Sequence, residues 1–169
     1  MMNREDKPCD GGCACGHVRY RVLSAPLIVH CCHCRDCQRQ TGSAFVVNAL
    51  IESDRVVLLQ GEVVERVAAT PSGRGQTIAR CPECQVAVWS NYHMSGLARH
   101  IRFIRAGTLD APERMPPDVH IFTTSKQPWV PLPEGAQAVD IFYDYARTWS
   151  PDSLARRAAL FERAGLPAR

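Results

Sequence analysis

The chain of 169 residues lacks any hydrophobic run long enough to form a membrane-spanning helix. Its longest mostly apolar stretch is SAFVVNALI, whereas a spanning helix needs about 20 residues. The opening residues, MMNREDKPCD, contain no apolar segment of the secretory-signal type. The formal charge of +3 is too mild for a dedicated nucleic-acid-binding protein. We therefore expect a cytoplasmic protein with no membrane partner, and the charge argues against a nucleic-acid partner.

Several familiar catalytic patterns are also missing from the sequence. It contains no glycine-rich phosphate loop, no Ser/His/Asp arrangement and no carboxylate pair at helical spacing. Internal repeats and low-complexity tracts are absent too. Cysteine, by contrast, is abundant, with nine residues. Because closely spaced cysteines in a reducing compartment bind metal more often than they form disulfides, the composition indicates metal binding.

Short strand-like segments dominate the rest of the chain. Gly, Pro and charged turn residues recur every eight to twelve positions, and the segments between them are alternating or β-branched. No segment offers the dozen or more residues that a crossover between parallel strands requires. The sequence therefore predicts an all-β, antiparallel fold. The predicted strands are HVRYRVL, LIVHC, AFVVNALI, RVVLL, VVERVA, QTIAR, AVWSNY, IRFIRA, HIFTT and AVDIFYD.

Two helices are predicted among these strands. The first is a short helix over CRDCQRQ that ends at Gly42. The second is SPDSLARRAALFERAG near the C-terminus, with Ser150 as N-cap and Pro151 at the first helical position. Gly165 lies just beyond its end, where glycine commonly terminates a helix.

Two cysteine pairs from distant parts of the chain predict a first metal site. Cys13 and Cys15 form a CxC pair, and Cys81 and Cys84 form a CxxC pair. Each pair places two thiolates on one tight bend, and two such pairs complete the tetrahedral four-sulfur shell that Zn²⁺ prefers. A metal held in this way would join distant chain segments, so its binding energy would also be folding energy.

The stretch HCCHCRDCQRQTG, at positions 30 to 42, predicts a second site of a different kind. In an extended segment side chains alternate, so Cys32 and Cys34 share a face while Cys31 and His33 point the other way. A helix that begins at Cys34 returns Cys37 to the side of the first pair. Three protein ligands and one vacant position are the arrangement of a catalytic zinc.

The alternative for this stretch is a second closed, structural site. Cys31, His30 or His33 could supply its fourth ligand. The other four histidines sit in no ligand pattern and are expected to be ordinary strand or surface residues. They are His17, His93, His100 and His120.

Four motifs, GGCACGHVRYRV, CHCRDCQRQTGSAF, CPECQVAVW and SKQPWVPLPEG, follow one another along the chain. Together they resemble the glutathione-dependent formaldehyde-activating enzyme (GFA) family, which also includes centromere protein V. The resemblance covers roughly residues 9 to 143 and implies a zinc-pinned β-tent of small antiparallel sheets. It leads us to expect an N-terminal tail over residues 1–8, a GFA-type zinc-binding domain over 9–145 and a helical extension over 146–169.

The same resemblance implies two Zn²⁺ ions per chain and assigns their ligands. Cys13, Cys15, Cys81 and Cys84 would hold the structural zinc, and Cys32, Cys34 and Cys37 the zinc of the active site. The sequence departs from the family pattern at two positions. Gln85 stands where the family usually has glycine, and Gln38 where it often has arginine.

The implied activity makes or breaks a carbon–sulfur bond. The family's reaction condenses formaldehyde with glutathione to S-hydroxymethylglutathione, and its reverse is a lyase reaction. We therefore expect a zinc-dependent carbon–sulfur lyase that takes a small thiol such as glutathione and a small aldehyde. Arg35, Arg39 or His33 could offset the negative charge of three thiolates, and Trp129 is expected in the core or a pocket wall. The alternative is a non-enzymatic zinc-binding module for a protein or another macromolecule.

Overall fold

The computed structural model describes residues 7–93 and 96–167. Within these ranges the chain forms ten strands and three α-helices. The strands are β1 (Cys9–Gly12), β2 (Arg19–Val22), β3 (Ile28–Cys32), β4 (Val46–Glu52), β5 (Val56–Gln60), β6 (Val64–Ala68), β7 (Gln76–Arg80), β8 (Ala87–Tyr92), β9 (Ile101–Arg105) and β10 (Val119–Ile121). The helices are α1 (Arg35–Thr41), α2 (Tyr145–Thr148) and α3 (Pro151–Arg163).

The strands form two sheets, and the prediction of a mostly β fold is confirmed. A three-stranded sheet has the order β1-β2-β5, and a seven-stranded sheet has the order β10-β3-β4-β9-β8-β7-β6. The second sheet is larger than the small sheets that the family resemblance implied. Neighbouring strands within each sheet run antiparallel except at one edge, where β10 pairs with β3 in parallel.

The parallel pair shows that the purely antiparallel prediction was wrong. The chain between β3 and β10 contains six other strands, so no single crossover segment is visible in the sequence. One predicted strand is also wrong, and one observed strand was not predicted. The predicted strand AVDIFYD belongs to neither sheet: it makes an isolated bridge, between Ala138 and His120, and further backbone hydrogen bonds to residues 122–124, and its Ile141 is exposed. Conversely, β1 has the sequence CDGG, which carries no strand pattern, and it forms because β2 pairs along its whole length.

Both predicted helices are confirmed at their ends. α1 ends at Gly42, which has a φ of 66°. In α3 the hydroxyl of Ser150 accepts a hydrogen bond from the backbone N–H of Ser153 (3.1 Å), and Pro151 is the first helical residue. The short helix α2, which the sequence did not predict, precedes α3.

The buried apolar residues form two clusters. The first lies between the two sheets and includes Tyr20, Ile51 and Trp89. The second includes Ile28 and Leu50 from the large sheet together with residues of α3. No helix within the described residues is long and apolar enough to cross a bilayer. Trp129 is 71% exposed, so the expectation of a place in the core was wrong.

Helix α3 is attached to the large sheet by polar contacts as well as apolar ones. Ser153 donates its hydroxyl proton to the carbonyl of Leu27 (2.7 Å). Arg156 donates two hydrogen bonds, of 2.9 and 2.6 Å, to the carboxylate of Glu52 at the end of β4. Glu52 is 1% exposed, so this pair lies inside the helix–sheet contact.

Candidate metal centre

Two similar backbone bends carry the four cysteines of the first cluster. The bend between β1 and β2 is closed by a hydrogen bond from the Cys13 N–H to the Val18 carbonyl, at 3.1 Å. The bend between β7 and β8 is closed in the same way by Cys81 and Val86, at 3.0 Å. Because one bend belongs to each sheet, the cluster lies where the two sheets meet.

The sulfurs of this cluster have the spacing that a tetrahedral zinc requires. Cys13 and Cys15 place their Sγ atoms 3.5 Å apart, and Cys15 and Cys81 place theirs 3.7 Å apart. With Cys84, all four sulfurs lie within 4.8 Å of one another. Zn–S bonds of 2.3 Å at tetrahedral angles separate the sulfurs by about 3.8 Å. All nine cysteines are free thiols, so no disulfide competes with a metal here.

Backbone donors favour the thiolate form within this cluster. Hydrogen bonds from the N–H groups of Val86 and Cys15 lower the pKa of Cys84 to about 6. Cys13 accepts a hydrogen bond from the Val18 N–H at 3.2 Å. Thiolate is the form that binds zinc, so the bends are suited to a metal before one arrives.

The second cluster lies at the junction between β3 and α1. Cys32 ends the strand, Cys34 is the N-cap of the helix, and Cys37 lies in its first turn. The Cys37 N–H points at the Cys34 sulfur, at 3.4 Å. The three sulfurs lie within 4.8 Å of one another. No fourth cysteine, histidine or carboxylate within residues 7–93 and 96–167 joins this group.

The three thiols of the second cluster strongly affect one another's ionisation. Hydrogen bonds from Cys32 and Cys37 and from backbone N–H groups lower the pKa of Cys34. Hydrogen bonds with Cys34 and Cys37, together with burial, raise the pKa of Cys32. One thiolate is therefore well stabilised, and further ionisation needs a cation among the sulfurs. The donor set and its spacing suit Zn²⁺, which takes thiolate ligands.

A buried arginine that the sequence does not reveal faces this cluster. Arg105 ends β9 and is 7% exposed. Its guanidinium donates to Asn48 on β4 (2.5 Å) and to Gln40 on α1 (3.3 Å). Burial lowers the pKa of Arg105, and the negative charge and hydrogen bonding of Cys37 oppose that effect. Arg105 therefore supplies the positive charge beside the thiols.

The candidates that the sequence offered for this charge lie elsewhere. Arg35 and Arg39 are exposed, and Arg35 donates to Gln38 at 3.1 Å. His33 points away from the three thiols. Arg105 could not be recognised from sequence, because it is far from the cysteine motif and reaches it only through the pairing of β4 with β9.

Gln38, one of the departures from the family pattern, connects α1 to the SKQPW segment. Its amide donates to the carbonyls of His33 (2.6 Å) and Ser125 (3.0 Å). It also accepts a hydrogen bond from Gln127 at 2.7 Å. A buried glutamine thus fixes the start of α1, and with it the direction of Cys34 and Cys37.

The residues that could have closed the second site are engaged in other contacts. Cys31 and His33 lie on the opposite side of the chain from the three thiols, as alternation predicts, and form a third group with His120. The side chain of His30 contacts the Tyr143 hydroxyl at 2.5 Å. His120, which the sequence placed in no ligand pattern, is the strand histidine of β10 that joins this group.

The chain is similar in sequence to known proteins. Residues 8–125 match the family described as GFA, glutathione-dependent formaldehyde-activating enzyme. A Halomonas elongata protein named "Putative glutathione-dependent formaldehyde-activating enzyme" is 29% identical over 127 residues, which span 73% of this chain and 80% of that protein. A Rhodobacter sphaeroides protein of known crystal structure has a TM-score of 0.45 and 14% identity, covering 60% of this chain and 87% of that one. Since the family match spans well over half of its length, the chain belongs to the glutathione-dependent formaldehyde-activating enzyme family.

Proposed function

We propose that the protein is a zinc-dependent carbon–sulfur lyase that acts on thiol adducts of small aldehydes, with glutathione and formaldehyde as the reference pair. The observation that carries the proposal is the group of Cys32, Cys34 and Cys37, which offers three thiol ligands and no fourth ligand among the described residues. Structural zinc sites are closed by four protein ligands, whereas catalytic ones keep a position open.

The described side chains suit such a site in charge as well as in ligand type. Three thiolates around a divalent cation leave a net charge of −1, and the buried guanidinium of Arg105 balances it. Cys34 and Cys37 are half-buried, while Cys32 is buried against the apolar cluster under α3. We infer that a substrate approaches from the side of Cys34 and Cys37.

The reaction needs one thiolate and one proton transfer. When bound, Zn²⁺ lowers the pKa of an incoming thiol and keeps it as a nucleophilic thiolate. In the lyase direction the carbon–sulfur bond of the hydroxymethyl thioether breaks and its electron pair stays on sulfur. The hydroxyl group loses its proton to solvent as the carbonyl of the aldehyde forms, so the products are a thiolate, the aldehyde and one proton. The chain's own cysteines serve as ligands and are not consumed.

We further propose that Cys13, Cys15, Cys81 and Cys84 hold a second, structural zinc, and that residues 9–145 form the zinc-binding domain with 146–169 as its helical extension. The sulfur separations of 3.5 and 3.7 Å support the structural assignment. For the second cluster, a fourth protein ligand would favour the alternative of a non-enzymatic binding module. Because no described residue provides a fourth ligand, we favour the lyase over the binding module.

Thiol binding to Co²⁺-substituted protein tests the proposal. Glutathione should increase the thiolate-to-Co²⁺ charge-transfer absorption, because a fourth sulfur joins the second cluster. A Cys34→Ser variant should lose this response. Arg105→Gln should weaken the apparent affinity for glutathione roughly tenfold or more, by analogy with other residues that support metal ligands. Arg39→Gln, the same change at an exposed arginine of α1, is the matched control and should leave the affinity unchanged.

Turnover is measured separately, as the rate of formaldehyde exchange with S-hydroxymethylglutathione above the spontaneous rate. Fully loaded protein whose spectrum does not respond to glutathione would rule out an open thiol site. A spectral response without any rate increase would favour a binding module over a lyase.

A further inference from the structure

The third cluster lies on the face of β3 opposite to the proposed lyase site. Cys31 and His33 are two positions apart on an extended chain and so point to the same side. In the parallel pair of β3 and β10, His120 is the register partner of Cys31. Strand pairing therefore places three metal-binding side chains on one face, from segments 87 residues apart.

We propose that Cys31, His33 and His120 form a third metal site, which takes a borderline or soft cation of the Zn²⁺ or Cu⁺ type. Neither the lyase reaction nor the proposed structural zinc uses these side chains. The inference is independent of the proposed function, because it concerns other ligands on another face of the strand.

The distances within the cluster are close to those of a coordination shell. The Cys31 sulfur is 3.6 Å from Nε2 of His33, and that nitrogen is 3.0 Å from Nδ1 of His120. All three ligand atoms lie within 4.8 Å of one another. A tetrahedral zinc separates sulfur from nitrogen by about 3.6 Å and nitrogen from nitrogen by about 3.3 Å. The two imidazole nitrogens, which are 3.0 Å apart, would need to separate by about 0.3 Å to reach that spacing.

Hydrogen bonding cannot satisfy all the contacts in this cluster at once. Nε2 of His33 has either one proton or one lone pair, yet it faces both the Cys31 sulfur and His120. A cation would instead accept a lone pair from each of the three atoms. Cysteine and histidine are the ligands that zinc and copper prefer, whereas magnesium and calcium prefer oxygen.

All three side chains of the third cluster are buried. The exposed fractions are 1% for Cys31, 0% for His33 and 9% for His120. A metal here would be shielded from solvent and would fasten the edge strand β10 to β3. One thiolate leaves Zn²⁺ with a net charge of +1 but neutralises Cu⁺, so the two ions are separate arms of the test.

Metal counting on the full-length, reduced protein tests the site. After equilibration with excess Zn²⁺ and gel filtration, we expect three metals per chain in the wild type and two in His120→Gln. His100→Gln replaces a histidine outside all three clusters and should keep three. In ¹¹³Cd-loaded wild-type protein we expect three resonances, and His120→Gln should lose the one with the fewest sulfur ligands.

The copper arm uses protein already loaded with two Zn²⁺, with a Cu⁺-specific chelator as competitor. Retention of one Cu⁺ by the wild type and its loss in His120→Gln would support the site even where no third Zn²⁺ binds. If His120→Gln fails to fold, Cys31→Ala provides the same comparison, and the count of ¹¹³Cd resonances in the wild type needs no variant. Two metals and two resonances in the wild type, with no retained Cu⁺, would overturn the proposal.

Discussion

Gln85 adopts a φ of 61°, in the left-handed backbone region, within the bend that carries Cys81 and Cys84. The corresponding bend at Cys13 and Cys15 has Gly16, with a φ of 79°. Left-handed backbone costs roughly 1–2 kcal/mol for residues other than glycine. Gln85 offsets part of this cost, because its side-chain amide donates to the Pro82 carbonyl at 2.7 Å.

The first prediction, Gln85→Gly, concerns this conformation. Relief of the left-handed backbone should outweigh the loss of one exposed hydrogen bond, so the free energy of unfolding should rise by about 0.5–1 kcal/mol. Urea unfolding of the zinc-loaded protein measures the change. Gln85→Ala is the matched control, since it removes the amide but keeps Cβ, and it should be no more stable than the wild type. A destabilised Gln85→Gly would mean that the hydrogen bond matters more than the backbone angle.

Single residues also show how far the sequence defines the candidate site. The seven cysteines of the two predicted clusters could be grouped correctly, because bends and strand alternation fix their directions locally. Arg105 and His120 could not be placed, because each reaches its cluster through a strand pairing between distant segments. Local spacing is visible in one sequence, whereas strand register across a sheet is not.

At the scale of secondary-structure elements, α3 and the large sheet are joined by a buried ion pair. Burial alone would raise the pKa of Glu52, but hydrogen bonds from Arg156 lower it below its usual range. The pair therefore contributes stability above the unfolded pKa of about 4.3, and this contribution is lost as the pH falls through the lower folded value. Arg55, at 3.7 Å, is a second and weaker partner.

The second prediction is that Arg156→Met reverses this pH dependence. Without Arg156, Glu52 is a buried carboxylate whose remaining ion-pair partner among the described residues is Arg55, so we expect a loss of about 3 kcal/mol at pH 7. Burial should then raise the folded pKa of Glu52 above the unfolded value. The folded variant takes up a proton on acidification, and the loss should therefore shrink between pH 7 and pH 5.

Urea unfolding at the two pH values, followed by tryptophan fluorescence, measures this change. The matched control is the double variant Arg156→Met with Glu52→Gln, which has no carboxylate to titrate and should show a loss that is independent of pH between 5 and 7. Both variants keep the same metal sites, so acid effects on those sites cancel in the comparison. An equal pH dependence in the two variants would exclude Glu52 as the cause.

Elements with strong local signals were predictable, and those that depend on partners were not. Helix α3 has an N-cap serine, a proline at its first position and a glycine past its end, and all three lie where the sequence placed them. By contrast, β1 is a strand only because β2 pairs with it. The segment AVDIFYD has the alternation of a strand but lies outside both sheets. Propensity decides an element only where tertiary pairing does not override it.

At the scale of the whole molecule, the two predicted metal clusters differ in what they connect. Cys15 and Cys81 are 66 positions apart, and they belong to bends of different sheets. Cys32 and Cys37 lie five positions apart, within one strand–helix junction. A metal at the first cluster therefore closes a long loop and joins the sheets, whereas a metal at the second closes a short loop.

The third prediction follows from this difference in loop length. Closing the longer loop removes more entropy from the unfolded chain, by roughly 2 kcal/mol for 66 residues against five. The zinc-dependent part of the stability, taken as loaded minus metal-free unfolding free energy, should therefore fall more in Cys13→Ser/Cys15→Ser than in Cys34→Ser/Cys37→Ser. Each double variant removes two thiols, and each is compared with its own metal-free form, so the direct cost of the serines cancels. Equal losses in the two variants would mean that the first cluster does not fasten one sheet to the other, and that the apolar contacts between the sheets hold them together without it.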